Sequence, residues 1–421
     1  MTLDGLLADT RPLRNQHFRR LWRANIVTVI GAQLTVVAVP AQIYVITGSS
    51  AYVGLTGVFG LVPLVIFGLW GGALADAMDR RTLLVITTCG LILTSVGFWV
   101  QAALGLDNVW VLLWLFALQQ AFFAVNQPTR SAVLPKLLPT ELLPAANSLN
   151  MTVMQAGGIA GPLVGGALIP VLGFSWLYLL DSVTLLATLG AVVRLPRLPV
   201  EGAMVTPGVR AVVDGFRYLR HHPVLMMSFV VDVIAMVFGM PRALFPEMAD
   251  VDFGGPGEGG LAFALLFAAI PAGAVVGGVL SGWVSRVERQ GLAVVVAILV
   301  WGLAMTGFGV AAMLAPFAPV AMLVVAVVML AVGGAADMAS AAFRTSMLQA
   351  AASDAVRGRL QGIFIVVVAG GPRVADVAHG AAAAGTGAAV AAAGGGVLVV
   401  VGTVLAALAV PAFVRYRVTR G

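Results

Sequence analysis

The sequence has 421 residues, of which 60% are hydrophobic and only 10% charged, and its formal net charge is +6. A soluble globular domain carries about 25% charged residues, so these proportions exclude a soluble enzyme. The single cysteine, Cys89, excludes an internal disulfide framework and any CxxC metal site. The four histidines show no HxxxH or HExxH spacing, so neither a catalytic residue nor a cofactor or metal is expected.

In chain order, apolar runs long enough to cross a bilayer, about 20 residues each, fall at 24–46, 51–75, 82–104, 109–128, 147–171, 174–194, 223–244, 260–284, 291–312, 318–341, 361–383 and 388–413. The first lies behind Arg19, Arg20 and Arg23. It is too long for a signal peptide and eleven more follow, so it reads as the first of twelve spans. Basic residues between the spans fix orientation. Counting Arg80, Arg81, Arg130, Lys136, Arg286, Arg289, Arg344 and their equivalents, 22 of the 24 Lys and Arg fall on one side. The longest loop on the other side holds Glu247, Asp250, Asp252 and Glu258. Both termini are therefore expected in the cytoplasm. The arginines flank apolar runs, so the sequence pI of about 10.2 signals a lipid bilayer partner and no nucleic acid.

The longest polar connection, 195–222, carries Pro196, Pro199 and Pro207, which discourage a continuous helix. It divides the chain into a six-helix bundle at 1–194, a cytoplasmic linker at 195–222 and a second bundle at 223–421. Gly71–Leu74 recurs as Gly277–Leu280, and Gly161-Pro162 as Gly371-Pro372, at offsets of 206 and 210 residues. The fold class expected is an all-α membrane protein with twelve transmembrane helices in two pseudo-symmetric bundles. Parallel repeats around a midplane site are a transporter architecture. The Ala/Gly-rich stretch 380–396 reads as close helix packing.

Two motifs carry a resemblance to the major facilitator superfamily. Gly72, Asp76, Arg80 and Arg81 after the second span resemble its gating motif, with Asp79 where the family usually has glycine. The resemblance implies a latch on the outward-facing state; by themselves Arg80 and Arg81 read as water-exposed anchors of the turn. Gly157, Gly161, Pro162, Gly165 and Gly166 in the fifth span are similar to its antiporter motif, implying an exporter that exchanges substrate for protons. Glycines at i, i+4 and i+8 make a smooth groove. Ala38–Ile43, Ala268–Ala274, Arg344–Gln349 and Gly358–Gly362 look most like the enterobactin-exporter branch. The fourth span lacks the arginine of many proton-coupled drug exporters, so coupling through that residue is not available.

Ionised groups at bilayer depth cost about 2.5–3.5 kcal/mol on insertion scales. Asp232 lies within the seventh span with no base within one turn; it reads as a proton or substrate contact, or as a hydrogen-bonded packing residue. Arg373, Asp376 and His379, at i, i+3 and i+6 in the eleventh span, share one helix face. They form either a structural ion pair or a site where Arg373 takes an anionic or phenolic substrate group while Asp376 and His379 exchange protons, in a pocket facing Asp232. Asp181 and Asp337, nearer the ends of their spans, are expected to reach water. Gln33, Gln42, Gln119, Gln120 and Asn126 are candidate substrate hydrogen-bonders, each against the plainer alternative of an interhelical bond.

The function expected is secondary active efflux of a small amphipathic molecule such as a siderophore, weighed against a multidrug exporter of the same superfamily and a non-transporting sensor or scaffold. The expected partners are the small-molecule substrate, protons and lipid; a monomer in the bacterial inner membrane is expected.

Overall fold

The computed structural model describes residues 9–198, 217–255, 259–351 and 354–417, without the side chains at 69, 71–73, 75–77, 285 and 349–369. The expected linker therefore lies largely outside the described residues, as does Glu258.

The described chain is helical: α1 (Gln16–Thr47), α2 (Ser50–Ala77), α3 (Arg80–Ala103), α4 (Val109–Leu137), α5 (Leu143–Val193), α6 (Pro223–Gly239), α7 (Leu261–Val279), α8 (Gln290–Leu314), α9 (Pro319–Ala351), α10 (Asp354–Thr386) and α11 (Ala388–Ala409). Ten stretches of the described residues are long and apolar enough to cross a membrane. One of them, Thr140–Val193, runs 54 residues, more than twice what one crossing needs. Gly173 breaks it with φ 74°, a left-handed backbone that a residue with a Cβ rarely adopts. That break separates the runs 147–171 and 174–194. The run at 361–383 lies within α10, with the side chains at 361–369 outside the described residues.

Helices α1, α2, α4, α5, α7 and α10 carry internal prolines. In a membrane protein the carbonyls freed by proline are re-satisfied by neighbouring helices and polar side chains. Large apolar side chains such as Leu93, Val171, Val279, Leu303 and Leu405 are more than half exposed. Water does not tolerate that much apolar surface; lipid covers it.

The chain forms two compact units: Met1–Val39 with Val62–Thr206, and Pro40–Leu61 with Pro207–Gly421. In the first unit the glycines of α5 accept α1. A Cβ at Gly157 would strike Val29, one at Gly161 would strike the Gln33 stem, and one at Gly165 would come 2.7 Å from Val37 Cγ2. The groove read from the sequence is thus filled by a matching i, i+4, i+8 row on α1. Helix α3 meets α4 where the Asn126 amide donates to Thr87 Oγ1 at 2.8 Å and to Thr88 Oγ1 at 3.4 Å. It meets the second half of α5 where the rings of Phe98 and Tyr178 stack at 5.2 Å.

The second unit also packs through small residues. Gly273 of α7 abuts the Ala331 carbonyl of α9, and Gly334 of α9 abuts the Ile270 carbonyl of α7. Gly396 of α11 abuts the Thr306 backbone of α8, and Gly309 of α8 lies against Ala393. The Ala/Gly-rich stretch is therefore a packing surface. The segment Pro40–Leu61 joins this unit by backbone approach: a Cβ at Gly54 would come 2.6 Å from the Asp376 carbonyl, and Gly57 abuts the Arg373 carbonyl.

Candidate functional site

The second unit buries Asp232, Arg344, Asp376 and His379. Asp232 on α6 is 1% exposed and forms an ion pair with Arg344 on α9. Arg344 Nη2 also lies 3.9 Å from Asp337 Oδ1, about two helical turns earlier on the same helix. Two sequence expectations are corrected here. Helix α9 runs to Ala351, so Arg344 is a buried helix residue and not a cytoplasmic loop base. It supplies Asp232 with the cationic partner that α6 itself lacks. Arg130 and Lys136 likewise fall inside α4.

On α10, Arg373 Nη1 lies 4.0 Å from Asp376 Oδ2 in the expected i, i+3 relation. Arg373 is partly exposed, whereas Asp376 is buried. His379 is buried one turn further on, where its ring bonds the Phe238 carbonyl at the end of α6. Its Nε2 has no hydrogen-bond partner among the described residues, so the nitrogen on Phe238 is Nδ1 and it donates. Arg242, just beyond α6, lies within electrostatic reach of Asp337, Arg373 and Asp376. Three bases and three carboxylates with one histidine thus cluster in this unit, on α6, α9, α10 and the turn after α6: Asp232, Arg344, Asp376 and His379 are buried, Asp337 and Arg373 half-buried and Arg242 exposed. Burying an ion pair adds little stability, because desolvation offsets the Coulomb gain. Intramembrane ionisable groups face the bundle interior and mark ion or substrate pathways.

The glutamines scatter. Gln33 is half-buried with its stem in the α5 groove. Gln42 is buried in the second unit, and Gln119 and Gln120 are half-buried on α4. Asn126 makes the interhelical bond described above.

The turn between α2 and α3 departs from expectation. The surroundings of Gly72 and the side chain of Asp76 lie outside what the structure describes. Arg80 is buried, not water-exposed, and its Nη1 donates to the Ala132 carbonyl of α4 at 3.0 Å. Arg81 Nη2 donates to the Val193 carbonyl at the end of α5 at 2.6 Å. Asp79 Oδ1 caps α3 by accepting from Thr82 N–H at 2.9 Å, and Oδ2 accepts from Leu198 N–H at 2.7 Å. Burial pushes the Asp79 carboxyl up, but these backbone bonds and Arg81 hold it below its ordinary 3.8.

Sequence reasoning missed a third polar centre. Asp181, expected to reach water, is 1% exposed in the first unit. Its Oδ2 accepts from Thr35 Oγ1 at 2.7 Å and Ser95 Oγ at 3.0 Å. No single stretch signals this, because the three residues come from distant parts of the chain.

A family model for transmembrane secretion effectors matches residues 8–416. The chain belongs to this family of the major facilitator superfamily. It is 29% identical over 350 residues to the enterobactin exporter EntS of Shigella boydii serotype 18, covering 82% of this chain and 80% of that protein. EntS of Escherichia coli O1:K1 is 28% identical over the same shares. Among solved structures, a point mutant of the nucleoside transporter NupG matches with TM-score 0.75 at 11% identity, over 94% of this chain and 100% of that one. A bacterial homologue of the human lysosomal transporter Spinster matches with TM-score 0.69 at 17% identity, over 98% and 100%. The structural matches show the fold. This is a multi-pass membrane transporter of small molecules and not an enzyme.

Proposed function

We propose that this protein exports a small amphipathic, ring-bearing molecule of the siderophore class across the bacterial inner membrane in exchange for protons. It works as a monomer of twelve spans with both termini in the cytoplasm, its halves 1–194 and 223–421 joined by the linker 195–222. The observation that carries the reading is the charge cluster of the second unit, in which Asp232, Arg344, Asp376 and His379 are buried and Arg373 is partly exposed beside them. A carboxylate paired with a guanidinium is released when the carboxylate takes a proton, and the freed arginine can then hold an anion. Arg373 is the base for an anionic or phenolic substrate group, and Asp376 and His379 exchange protons beside it. Asp232 and Arg344 form the second proton-dependent pair.

The similarity to enterobactin exporters over most of the chain supports the substrate class. The glycine groove Gly157, Gly161, Gly165, with Pro162 and Gly166, supports the direction of transport. Gly72, Asp76, Arg80 and Arg81 act as the gating latch, and Gln33, Gln42, Gln119 and Gln120 contribute substrate hydrogen bonds. The test is transport of a catecholate siderophore in proteoliposomes by wild type, Asp376→Asn and Arg373→Ala. Wild type should transport and both variants should not; normal transport by both variants removes the site assignment.

A further inference from the structure

Asp181 takes no part in the proposed cycle, although it is the most completely enclosed carboxyl among the described residues of the first unit. It sits in the second half of α5, between α1 and α3. Thr35 from α1 and Ser95 from α3 both donate to Oδ2, and the Ser182 hydroxyl supports Ser95 at 3.0 Å. Its other oxygen, Oδ1, is fully buried and has no hydrogen-bond partner among the described residues. Among the described residues no base pairs with Asp181, and the one titratable group beside it is Tyr178 of its own helix. From α1, Gly31 leaves the space at Oδ1: a Cβ there would come 3.1 Å from that atom.

Magnitudes decide between the two forms of this acid. An ionised carboxylate buried without a cation costs several kcal/mol even after relaxation. A neutral acid with one unpartnered hydroxyl costs about 1–3 kcal/mol. The two hydroxyl donors converge on Oδ2, which is where a carbonyl oxygen is needed, and leave Oδ1 for the proton.

We infer that Asp181 is a proton-binding site of the first unit, separate from the charge cluster of the second, protonated on Oδ1 while α1 is closed on α5. Releasing the proton leaves an anion on Oδ1 that needs a donor. The closed packing supplies none, so release requires α1 to part from the second half of α5 and admit water. Proton occupancy of Asp181 and closure of α1 are therefore linked events.

Infrared spectroscopy of the purified full-length protein in lipid nanodiscs, in sodium-free potassium buffer at neutral pH, reads this site directly. Wild type should show a protonated-carboxyl C=O band that Asp181→Asn lacks and Asp376→Asn retains, with no response to added sodium chloride. Asp181→Asn reproduces the neutral shape, so it should fold. If it does not, Ser95→Ala removes one hydrogen bond from the carbonyl oxygen and should shift the same band to higher frequency. Superimposable spectra for wild type and Asp181→Asn, or an unmoved band in Ser95→Ala, overturn the proposal. A band abolished by sodium alone assigns the oxygens to an alkali cation and overturns it as well. None of these readouts depends on siderophore transport or on a pH gradient, so the failure of either reading is distinguishable from that of the other.

Discussion

Asp232 of α6 and Arg344 of α9 form an ion pair with both side chains buried, at 1% and 6% exposure. Each is the principal answer to the other's charge, and Asp337 at 3.9 Å is a longer, partial substitute for Asp232 as the partner of Arg344. Breaking such a pair on one side costs about 3–5 kcal/mol, because the remaining charge stays buried.

Arg344→Gln, which leaves Asp232 without a cation, should lower stability by about that amount. Asp232→Asn should cost less, since Asp337 still faces the arginine. The double variant Asp232→Asn/Arg344→Gln should recover most of the loss. Thermal unfolding of the three purified variants checks this; a double variant no more stable than Arg344→Gln contradicts the pairing.

The α1–α5 groove makes a graded prediction. A Cβ at Gly161 strikes the Cβ of Gln33, which is fixed to its backbone, whereas one at Gly165 meets Val37 Cγ2, the tip of a side chain. Overpacking costs about 1–3 kcal/mol, so Gly161→Ala should fall at the upper end and Gly165→Ala at the lower. Equal melting temperatures for the two would show that the groove is not packed as described.

Asp79 ties the start of α3 to Leu198. Removing a capping carboxylate costs about 0.5–2 kcal/mol, and Asp79→Ala also leaves the Leu198 N–H without its acceptor. The pH dependence has a definite sign. The folded-state carboxyl titrates below its ordinary 3.8, so its contribution is complete above the unfolded value and is lost as pH falls through the folded one. Melting curves should therefore separate wild type from Asp79→Ala at neutral pH and converge below that value. A gap that persists in acid contradicts the role of the charged form.

Trp301 of α8 is 1% exposed, and its indole N–H donates to the Ala235 carbonyl of α6 at 3.2 Å. Gly239 gives the ring its space. Trp301→Phe should lose about 0.5–1.5 kcal/mol, the net worth of one hydrogen bond, because the Ala235 carbonyl keeps its bond within α6. A melting temperature unchanged from wild type would refute this contact.

Periodicity made the α5 groove legible, because Gly157, Gly161 and Gly165 share a face whatever packs there. The i, i+3, i+6 set on α10 was legible for the same reason, and the structure keeps Arg373 and Asp376 paired. What pairs across helices was not. Asp232 lacks a base on its own helix, and its partner Arg344 looked like a loop residue because polar residues follow the apolar run at 318–341. The helix continues regardless, since Ala, Ser, Met and Leu there are compatible with it. Asp181 escapes for the same reason: distance to a span end suggests access to water, whereas enclosure is set by Thr35 and Ser95 on other helices. A basic pair in a turn points to water for both Arg80 and Arg81, yet a carbonyl of α4 receives Arg80.

The central claim is proton-coupled export through the charge cluster of the second unit. Its most direct test is siderophore movement by the purified protein in proteoliposomes with an imposed pH gradient, before and after a protonophore. Uphill transport that requires the gradient, and is lost in Asp376→Asn while substrate still binds, is the result predicted. Transport that continues unchanged when the gradient is collapsed contradicts it.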